Sequence, residues 1–441
     1  MEPLTVGLLL IAAMVVLIAA GMQIGIVLFA LGAAGVWLIR DNVNLAVNMT
    51  AISTFSGIQD YLFATIPLFV LMGLLVSISD VGKDTFDVAQ NLLRRVRGGL
   101  GMATVAANAV FAAVTGVSIA SAAVFTKVAV PEMIRHGYTM RFATGTVAGS
   151  SILGMLIPPS LLMIIYGVLA EVSIGKMFVA GVIPGIIVAF GFVALIYAMA
   201  TFRPHKVMAD PARDEIARRH DHVMGVGEMA LKAVPILTLV ALVLVGLYAG
   251  FFTPTEAGGV GAFGALVIAL ARRRLDLSRF WRILTETGHV SVSILFLLIA
   301  ASFYSKMLSL AGVPQAIGDA VSTLGFGAWG FLVVYIVIVL LLGMLLDSSS
   351  IMLIMVPIAA PIAQGFGFDL IHFGIITIIA VEAGLLTPPF GISVFTVKAT
   401  LEDRSARIEE IFAGALPFVG VMLIALALIC AFPALSTLLV R

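Results

Sequence analysis

The feature that most constrains this chain is a succession of apolar segments, each close to the length of a membrane-spanning helix. They lie at about 4–20, 22–39, 61–78, 142–170, 177–201, 233–250, 257–271, 283–300, 373–400 and 411–437. Only 11% of the 441 residues are charged, whereas a soluble domain carries about 25%. Because so few charges cannot cover a water-exposed surface, the sequence predicts an all-α, multi-pass protein embedded in a lipid bilayer.

The same composition excludes several classes of protein. A formal net charge of +1 leaves no basic surface for binding nucleic acid. Cys430 is the single cysteine, which excludes a disulfide framework and a cysteine-rich metal centre. The motifs GxxxxGKS/T, HExxH and GxSxG do not occur in the sequence. We therefore predict that the protein is not an enzyme and needs no organic cofactor.

Two further apolar regions, at about 99–131 and 328–362, are interrupted by Gly, Ser, Thr and Pro. Each is too long for one crossing and short for two, so we predict helical hairpins that enter the membrane and return. With both regions re-entrant, all basic clusters fall on one side, which the positive-inside rule makes cytoplasmic. The clusters are Arg94–Arg97, Arg135 with Arg141, Arg203–Lys232, Arg272–Arg282 and Lys398–Arg407.

The chain also contains an internal repeat. Residues of the first half recur 230 positions later, namely Ser118, Pro131, Gly154, Pro158 and Pro159 at Ser348, Pro361, Gly384, Pro388 and Pro389. The predicted topology starts the first copy outside and the second inside, so the copies are inverted. Inverted repeats with paired hairpins and broken helices indicate a secondary transporter with a binding site near the membrane midplane.

This repeat divides the chain into four predicted parts. Scaffold helices occupy 1–60, and the first repeat, with an arm helix, a hairpin and a broken helix, occupies 61–202. An inter-repeat cytoplasmic loop with scaffold helices follows at 203–282, and the inverted second repeat occupies 283–441.

The hairpin tips and the helix breaks are the predicted binding region. Each Pro pair, Pro158–Pro159 and Pro388–Pro389, removes two amide donors in succession, which opens the helix. Freed carbonyls and hydroxyls are hard oxygen ligands suited to Na⁺, and the N-termini of half-helices attract an anionic substrate. Ser118 and Ser348 are candidates because they recur at the two tips.

Other polar residues in this region have alternative interpretations. Asp347 is an acid in an apolar region, where it could bind the cation or cap the half-helix that begins at Ser348. Glu382 is a further candidate, or a structural acid. Packing alone could account for the small hydroxyl residues Ser121, Ser150 and Ser151, which are also candidates for binding. Ser349, next to Ser348 at the second tip, is a further candidate. Lys306 could contact a substrate carboxylate or extend its side chain to the membrane surface.

Four segments resemble signatures of the large permease subunit of TRAP (tripartite ATP-independent periplasmic) transporters. They are Ile66–Gly73, Gly149–Gly185, Leu342–Ile362 and Glu382–Phe395, and the resemblance extends over essentially the whole chain. It implies an elevator-type fold, in which a transport domain with the hairpins and broken helices moves against a scaffold. It also implies Na⁺-driven uptake of an organic acid, such as a C4-dicarboxylate or a sugar acid, across the bacterial inner membrane.

The resemblance further implies two protein partners and a set of ion-binding positions. The partners are a periplasmic substrate-binding protein and a separate small four-helix membrane subunit. The cation sites of the family lie at the hairpin tips and helix breaks, which here are Thr115, Gly116, Ser118, Gly149, Ser150, Gly154, Asp347, Ser348, Glu382, Gly384, Thr387 and Gly391. The strongest Na⁺ candidates among them are Ser118, Gly154, Asp347, Ser348, Gly384 and Thr387.

Two other functions remain open from the sequence. A standalone divalent-anion/Na⁺ symporter would share the two-hairpin architecture but need no binding protein. An intramembrane enzyme or a passive channel is a different class, although neither requires two inverted halves with broken helices. Neighbouring genes for a secreted binding protein and a small membrane protein would favour the TRAP assignment.

Overall fold

The computed structural model describes residues 2–220, 222–323, 325, 327–402 and 406–440. In this part of the chain every regular element is a helix, apart from one isolated antiparallel bridge between Tyr138 and Met208. The helices are α1 (Pro3–Ala19), α2 (Ile24–Arg40), α3 (Val43–Gln59), α4 (Thr65–Ile78), α5 (Val81–Leu93), α6 (Gly99–Thr115), α7 (Ser118–Arg135), α8 (Met140–Ser151), α9 (Leu153–Leu156), α10 (Leu161–Leu169), α11 (Ile174–Phe202), α12 (Pro204–Val207), α13 (Pro211–His220), α14 (Val226–Tyr248), α15 (Pro254–Ala271), α16 (Leu277–Leu310), α17 (Val313–Thr323), α18 (Gly327–Gly343), α19 (Ser348–Gly365), α20 (Leu370–Gly384), α21 (Ile392–Thr400), α22 (Ile408–Ala431) and α23 (Ala434–Thr437).

The predicted all-α membrane architecture is confirmed. Among the described residues, seven helices are long and apolar enough to cross a bilayer, or eight if the bent pair at 140–169 counts as one span. The sequence analysis missed α3, because its asparagine, serine and threonine residues mask the apolar pattern. The apolar segment 373–400 is divided between α20 and α21, with Pro388 and Pro389 between them, as the predicted helix break requires.

The order of helices shows the same two-fold repetition as the sequence. Helices α1 and α2 precede the α3–α4 segment, as α14 and α15 precede the long helix α16. Helix α2 packs against α16, where Gly32 faces the ring of Phe303. Helix α4 packs against α15 in the corresponding way, where Met72 faces Gly261. In each pair, a glycine-bearing helix that precedes a repeat therefore packs against the bulky first long helix of the other repeat.

Both interrupted regions form hairpins. In the first, the ring of Phe111 on α6 meets that of Phe125 on α7, with centroids 5.6 Å apart. In the second, Phe331 near the start of α18 lies 5.5 Å from Phe366 at the end of α19. Because the two helices of each region are in contact with each other, the backbone reverses direction between them in both regions, as predicted.

Contacts also bring the basic clusters to one end of the molecule, which we call the basic face. On α5, Asp87 pairs with Lys232 at 2.6 Å, and Asp84 pairs with Arg272. Arg141 donates to the carbonyl of Ala413 at the start of α22. The charge distribution therefore agrees with the predicted topology, although residues 403–405 of the last cluster lie outside the described part of the chain.

The segment after α11 is packed on the protein instead of extending freely into solvent. The amide of Ala209 donates to the carbonyl of Gly137 at 2.8 Å, and the amide of Thr139 donates to that of Val207 at 2.9 Å. These bonds attach the inter-repeat segment to the turn between α7 and α8. The inter-repeat segment is thus fixed to the end of the first hairpin that lies opposite its tip.

Candidate functional site

The tip of the first hairpin is a short turn between the end of α6 and the N-terminus of α7. Helix α6 ends at Thr115, and Gly116 adopts a left-handed conformation with φ of 61°, which a residue without a Cβ tolerates best. The Thr115 hydroxyl donates to the carbonyl of Phe111 at 3.0 Å. The buried Ser118 is the first residue of α7, so its side chain lies at the positive end of that helix dipole.

The first helix break is attached to this tip. Helix α8 ends at Ser151, and α10 begins at Leu161 after a bend of 43°. The amide of Leu161 donates to the carbonyl of Gly116 at 3.2 Å. The hairpin and the broken helix of the first repeat therefore form one packed unit.

At the second hairpin tip, α18 ends at Gly343 and α19 begins at Ser348. Asp347 caps α19: its Oδ2 accepts a hydrogen bond from the amide of Ser350 at 3.1 Å, and its Oδ1 accepts one from the Ser350 hydroxyl. Asp347 and Ser349 are both half-buried. Asp347 was predicted either to bind the cation or to cap the half-helix, and these hydrogen bonds show the capping role.

The second helix break repeats the arrangement of the first. Helix α20 ends at Gly384, and α21 begins directly after Gly391. The amide of Phe390 donates to the carbonyl of Met344 at 3.2 Å, which joins this break to its own hairpin. The Thr387 hydroxyl donates to a carbonyl in the last turn of α20 at 2.9 Å.

Gly154 and Gly384, which are related by the repeat, both lie where two backbones approach closely. A Cβ on Gly154 would sit 3.0 Å from the amide nitrogen of Ser118, and one on Gly384 would sit 2.7 Å from the Cα of Gly343. Each position therefore requires glycine, because a side chain would push the hairpin away from its broken helix.

The two tips meet at Glu382. This residue is fully buried in the last turn of α20, and its Oε1 accepts a hydrogen bond from the Ser348 hydroxyl at 3.1 Å. Ser118 of the other repeat faces the same carboxyl group. Within the described part of the chain, Glu382 Oε2 has no hydrogen-bond partner. The carboxyl group of Glu382 thus lies between the N-termini of two half-helices, with one oxygen available to a ligand.

Asn108 is a polar residue of this region that the sequence analysis missed. It is fully buried on α6, and its Nδ2 donates to Ser150 Oγ on α8 at 2.6 Å. Its Oδ1 is without a hydrogen-bond partner among the described residues. A lone amide in an otherwise apolar segment was the signal that could have identified it.

The remaining predicted residues have other contacts or lie away from the hairpin tips. Ser151 donates to the carbonyl of Ala148 at 2.8 Å, and Gly149 packs against Phe418 of α22, so both have structural partners. Ser121 is buried one turn into α7. Lys306 is exposed on α16, and its neighbour Ser305 contacts Pro357, more than two turns beyond the second tip. The structure therefore does not place Lys306 with the tip residues.

The two breaks differ in their surroundings although their backbones correspond. In both breaks the bond between the two prolines is cis. Pro158 and Pro159 are buried, whereas Pro388, Pro389 and the following Phe390 are exposed. The two repeats therefore occupy unequal environments in this conformation.

Comparison with known proteins gives consistent similarities. The family model described as "Tripartite ATP-independent periplasmic transporter, DctM component" matches residues 11–435. The C4-dicarboxylate TRAP transporter large permease protein DctM of Pseudomonas aeruginosa is 34% identical, over 89% of each chain. The sialic acid TRAP transporter large permease protein SiaM of Vibrio cholerae is 28% identical, over 96% of each chain. Among solved structures, the Alcanivorax borkumensis YdaH transporter has a TM-score of 0.60 over 89% of each chain, at 13% identity, which is a likeness of fold alone.

Proposed function

The chain belongs to the TRAP transporter family as its DctM component, a large permease subunit, and we propose that it carries an organic anion into the cell together with Na⁺. It is a transport protein and not an enzyme, since its relatives are named as transporter permeases. We place it in the bacterial inner membrane, with the basic face towards the cytoplasm.

The arrangement around Glu382 is the observation that supports Na⁺ coupling. A fully buried carboxylate is costly unless a cation or hydrogen bonds compensate it, and Oε2 has no partner within the described residues. A Na⁺ ion would supply that partner, with Ser118 and Ser348 as neutral oxygen ligands. Carbonyls near Gly154 and Gly384, the hydroxyl of Thr387 and the carboxylate of Asp347 are the further oxygen atoms of this region.

The substrate class follows from the half-helix N-termini and from the relatives. With Na⁺ bound, the positive ends of α7 and α19 offer a favourable environment for a carboxylate, without a dedicated lysine or arginine. The relatives are named for a C4-dicarboxylate and for sialic acid, both of which are organic acids. We therefore propose an organic acid as the substrate.

The packing supports movement of an elevator type. The scaffold pairs α2–α16 and α4–α15 contact each other, and each hairpin is hydrogen-bonded to its own broken helix. The hairpins also pack against the scaffold, where α6 contacts α4 and α19 contacts α16. A cavity of about 390 Å³ is lined by Ser350 near the second tip and by Gln23 and Ser293 of the scaffold. The unequal exposure of the two breaks is what one end state of alternating access would show. The proposed motion carries the tips and breaks together past the scaffold.

Membership of the family also leads us to propose two partners. A periplasmic binding protein would deliver the substrate, and a small four-helix membrane subunit would associate with this chain.

Reconstitution tests the proposed function. Proteoliposomes with this chain, the small subunit and the cognate binding protein should accumulate a labelled organic acid when an inward Na⁺ gradient is present. Replacing Na⁺ by choline, or omitting the binding protein, should each abolish uptake. Uptake that persists without Na⁺ would contradict the coupling, and uptake that persists without the binding protein would indicate a standalone symporter.

A further inference from the structure

The basic face contains a polar pocket that the transport site does not use. Its volume is about 430 Å³, which lies in the range of small-molecule sites. It is formed by the C-terminal ends of α5 and α7 and by the start of α14. Its lining residues include Gln90, Arg94, Arg95, Arg135 and Lys232.

The acidic side chains of this pocket already have partners. Asp87 pairs with Lys232 at 2.6 Å, and Glu228 pairs with His222 at 2.9 Å. Glu132 accepts hydrogen bonds from Arg135 and from Gln90, the latter at 3.0 Å.

Glu132 also remains ionised at any physiological pH. Burial alone would raise its pKa, but hydrogen bonds from His136, Arg135 and Gln90 outweigh burial and lower the pKa to about 2. Glu132 therefore stays engaged with its own partners and does not compete for the other cations of the pocket.

Arg94 and Arg95 are the two cations left over. Neither has an ion pair or a hydrogen bond to any side chain that the structure describes. Arg94 caps the C-terminus of α5 and is half-buried, so part of its hydration is lost without a compensating negative charge. Two unpaired guanidinium groups beside a cavity are suited to an anion with several oxygens, above all a phosphate.

Two exposed leucines lie close in sequence to the pocket residues, one two positions before Arg94 and the other directly before Lys232. Leu92 on α5 and Leu231 on α14 are 66% and 76% exposed, and α5 is an amphipathic helix at the end of a membrane span. A phosphate that sits between Arg94 and Arg95 would therefore have hydrocarbon-compatible surface beside it, as the headgroup of a lipid does.

We propose that this pocket binds the phosphate of an anionic phospholipid from the leaflet at the basic face, with Arg94 and Arg95 as its ligands. The lipid would contact α7 of the first hairpin and α14 of the scaffold at the same time. The proposal concerns binding alone and does not depend on the transported substrate.

Native mass spectrometry of the purified full chain tests this site. Dioleoylphosphatidylglycerol and dioleoylphosphatidylcholine would be titrated separately against the wild type and the variants R94A/R95A, R95Q and R97A. The exposed Arg97 does not line the pocket, so R97A removes one charge from the same helix end as a matched control. Phosphatidylglycerol should bind the wild type more tightly than phosphatidylcholine does. R94A/R95A should weaken that binding by about tenfold or more, R95Q by about fivefold, and R97A by less than twofold.

Two results would overturn the proposal. One is phosphatidylglycerol binding to R95Q, or to a monodisperse sample of R94A/R95A, that is as tight as binding to the wild type. Arg95 is exposed, so R95Q should fold normally. The other is stabilisation of the lipid-depleted protein by millimolar inorganic phosphate to the same extent as by phosphatidylglycerol, because the site would then recognise a free anion and not a lipid.

Discussion

Replacement of Glu382 by glutamine isolates the charge at the meeting point of the two hairpins. The substitution preserves the shape of the side chain, and a glutamine oxygen can still accept the hydrogen bond that Ser348 donates at 3.1 Å. What changes is the formal negative charge facing the unpartnered position at Oε2. The tip geometry should therefore survive while cation binding is weakened.

The expected magnitude follows from the burial of this site. Removing one partner of a close, desolvated ion pair costs about 2–5 kcal/mol. Because about 1.4 kcal/mol corresponds to tenfold in affinity, Na⁺ binding should weaken by roughly 30-fold or more. Without Na⁺ the variant should be at least as thermally stable as the wild type, since it no longer buries an unpaired carboxylate.

Thermal unfolding in increasing NaCl, with choline chloride holding the ionic strength constant, measures this directly. A ligand present at about 100 times its Kd stabilises a protein by about 2.7 kcal/mol, whereas a roughly 30-fold weaker site gains only about 0.9 kcal/mol at the same concentration. The Tm of E382Q should therefore rise with Na⁺ by about a third as much as the wild-type Tm, or less. The matched control is Glu286→Gln on the exposed side of α16, which should respond as the wild type does. A Na⁺-dependent Tm in E382Q equal to that of the wild type would refute the role of Glu382.

Four further substitutions test other parts of the site. Asp347→Asn should remain folded, because asparagine also caps helices, but should abolish Na⁺-dependent uptake in proteoliposomes; full activity would remove Asp347 from the ion site. Replacing Pro158 and Pro159 together with alanine should restore helix across the first break and impair uptake, and unaltered uptake would mean that the break is dispensable. Gly154→Ala places a methyl group 3.0 Å from the Ser118 amide and should destabilise the protein by about 1–3 kcal/mol, whereas an unchanged Tm would show that the tip yields easily. Asn108→Ala removes the 2.6 Å bond to Ser150 and should lower stability by about 1–3 kcal/mol; a smaller loss would mean that water replaces the amide.

The overall architecture was largely predictable because the bilayer limits a chain of this composition to helices. The paired prolines and the recurrence of Ser118 at Ser348 located both tips and both breaks correctly. In contrast, α3 was missed because its asparagine, serine and threonine residues interrupt the apolar pattern. Tertiary packing, which the pattern does not show, determines where this helix lies.

Which of the candidate residues contact one another was harder to predict. Asp347 stood out in the sequence, yet the structure uses it as a helix cap and buries Glu382 between the tips instead. Sequence position does not reveal which acid faces the opposite repeat, because that depends on how α20 is rotated against both hairpins. Asn108 was overlooked for a similar reason, as its partner Ser150 lies 42 positions away on another helix.

An experimental structure of the protein in lipid nanodiscs containing Na⁺, at a resolution that shows side-chain oxygens, would test the account most directly. We predict that the hydroxyls of Ser118 and Ser348 both point at the Glu382 carboxylate, with density for one ion beside Oε2 that disappears in choline. The account would be contradicted if the two serines were separated on ordinary lipid-facing helices, or if Glu382 were paired with a basic side chain.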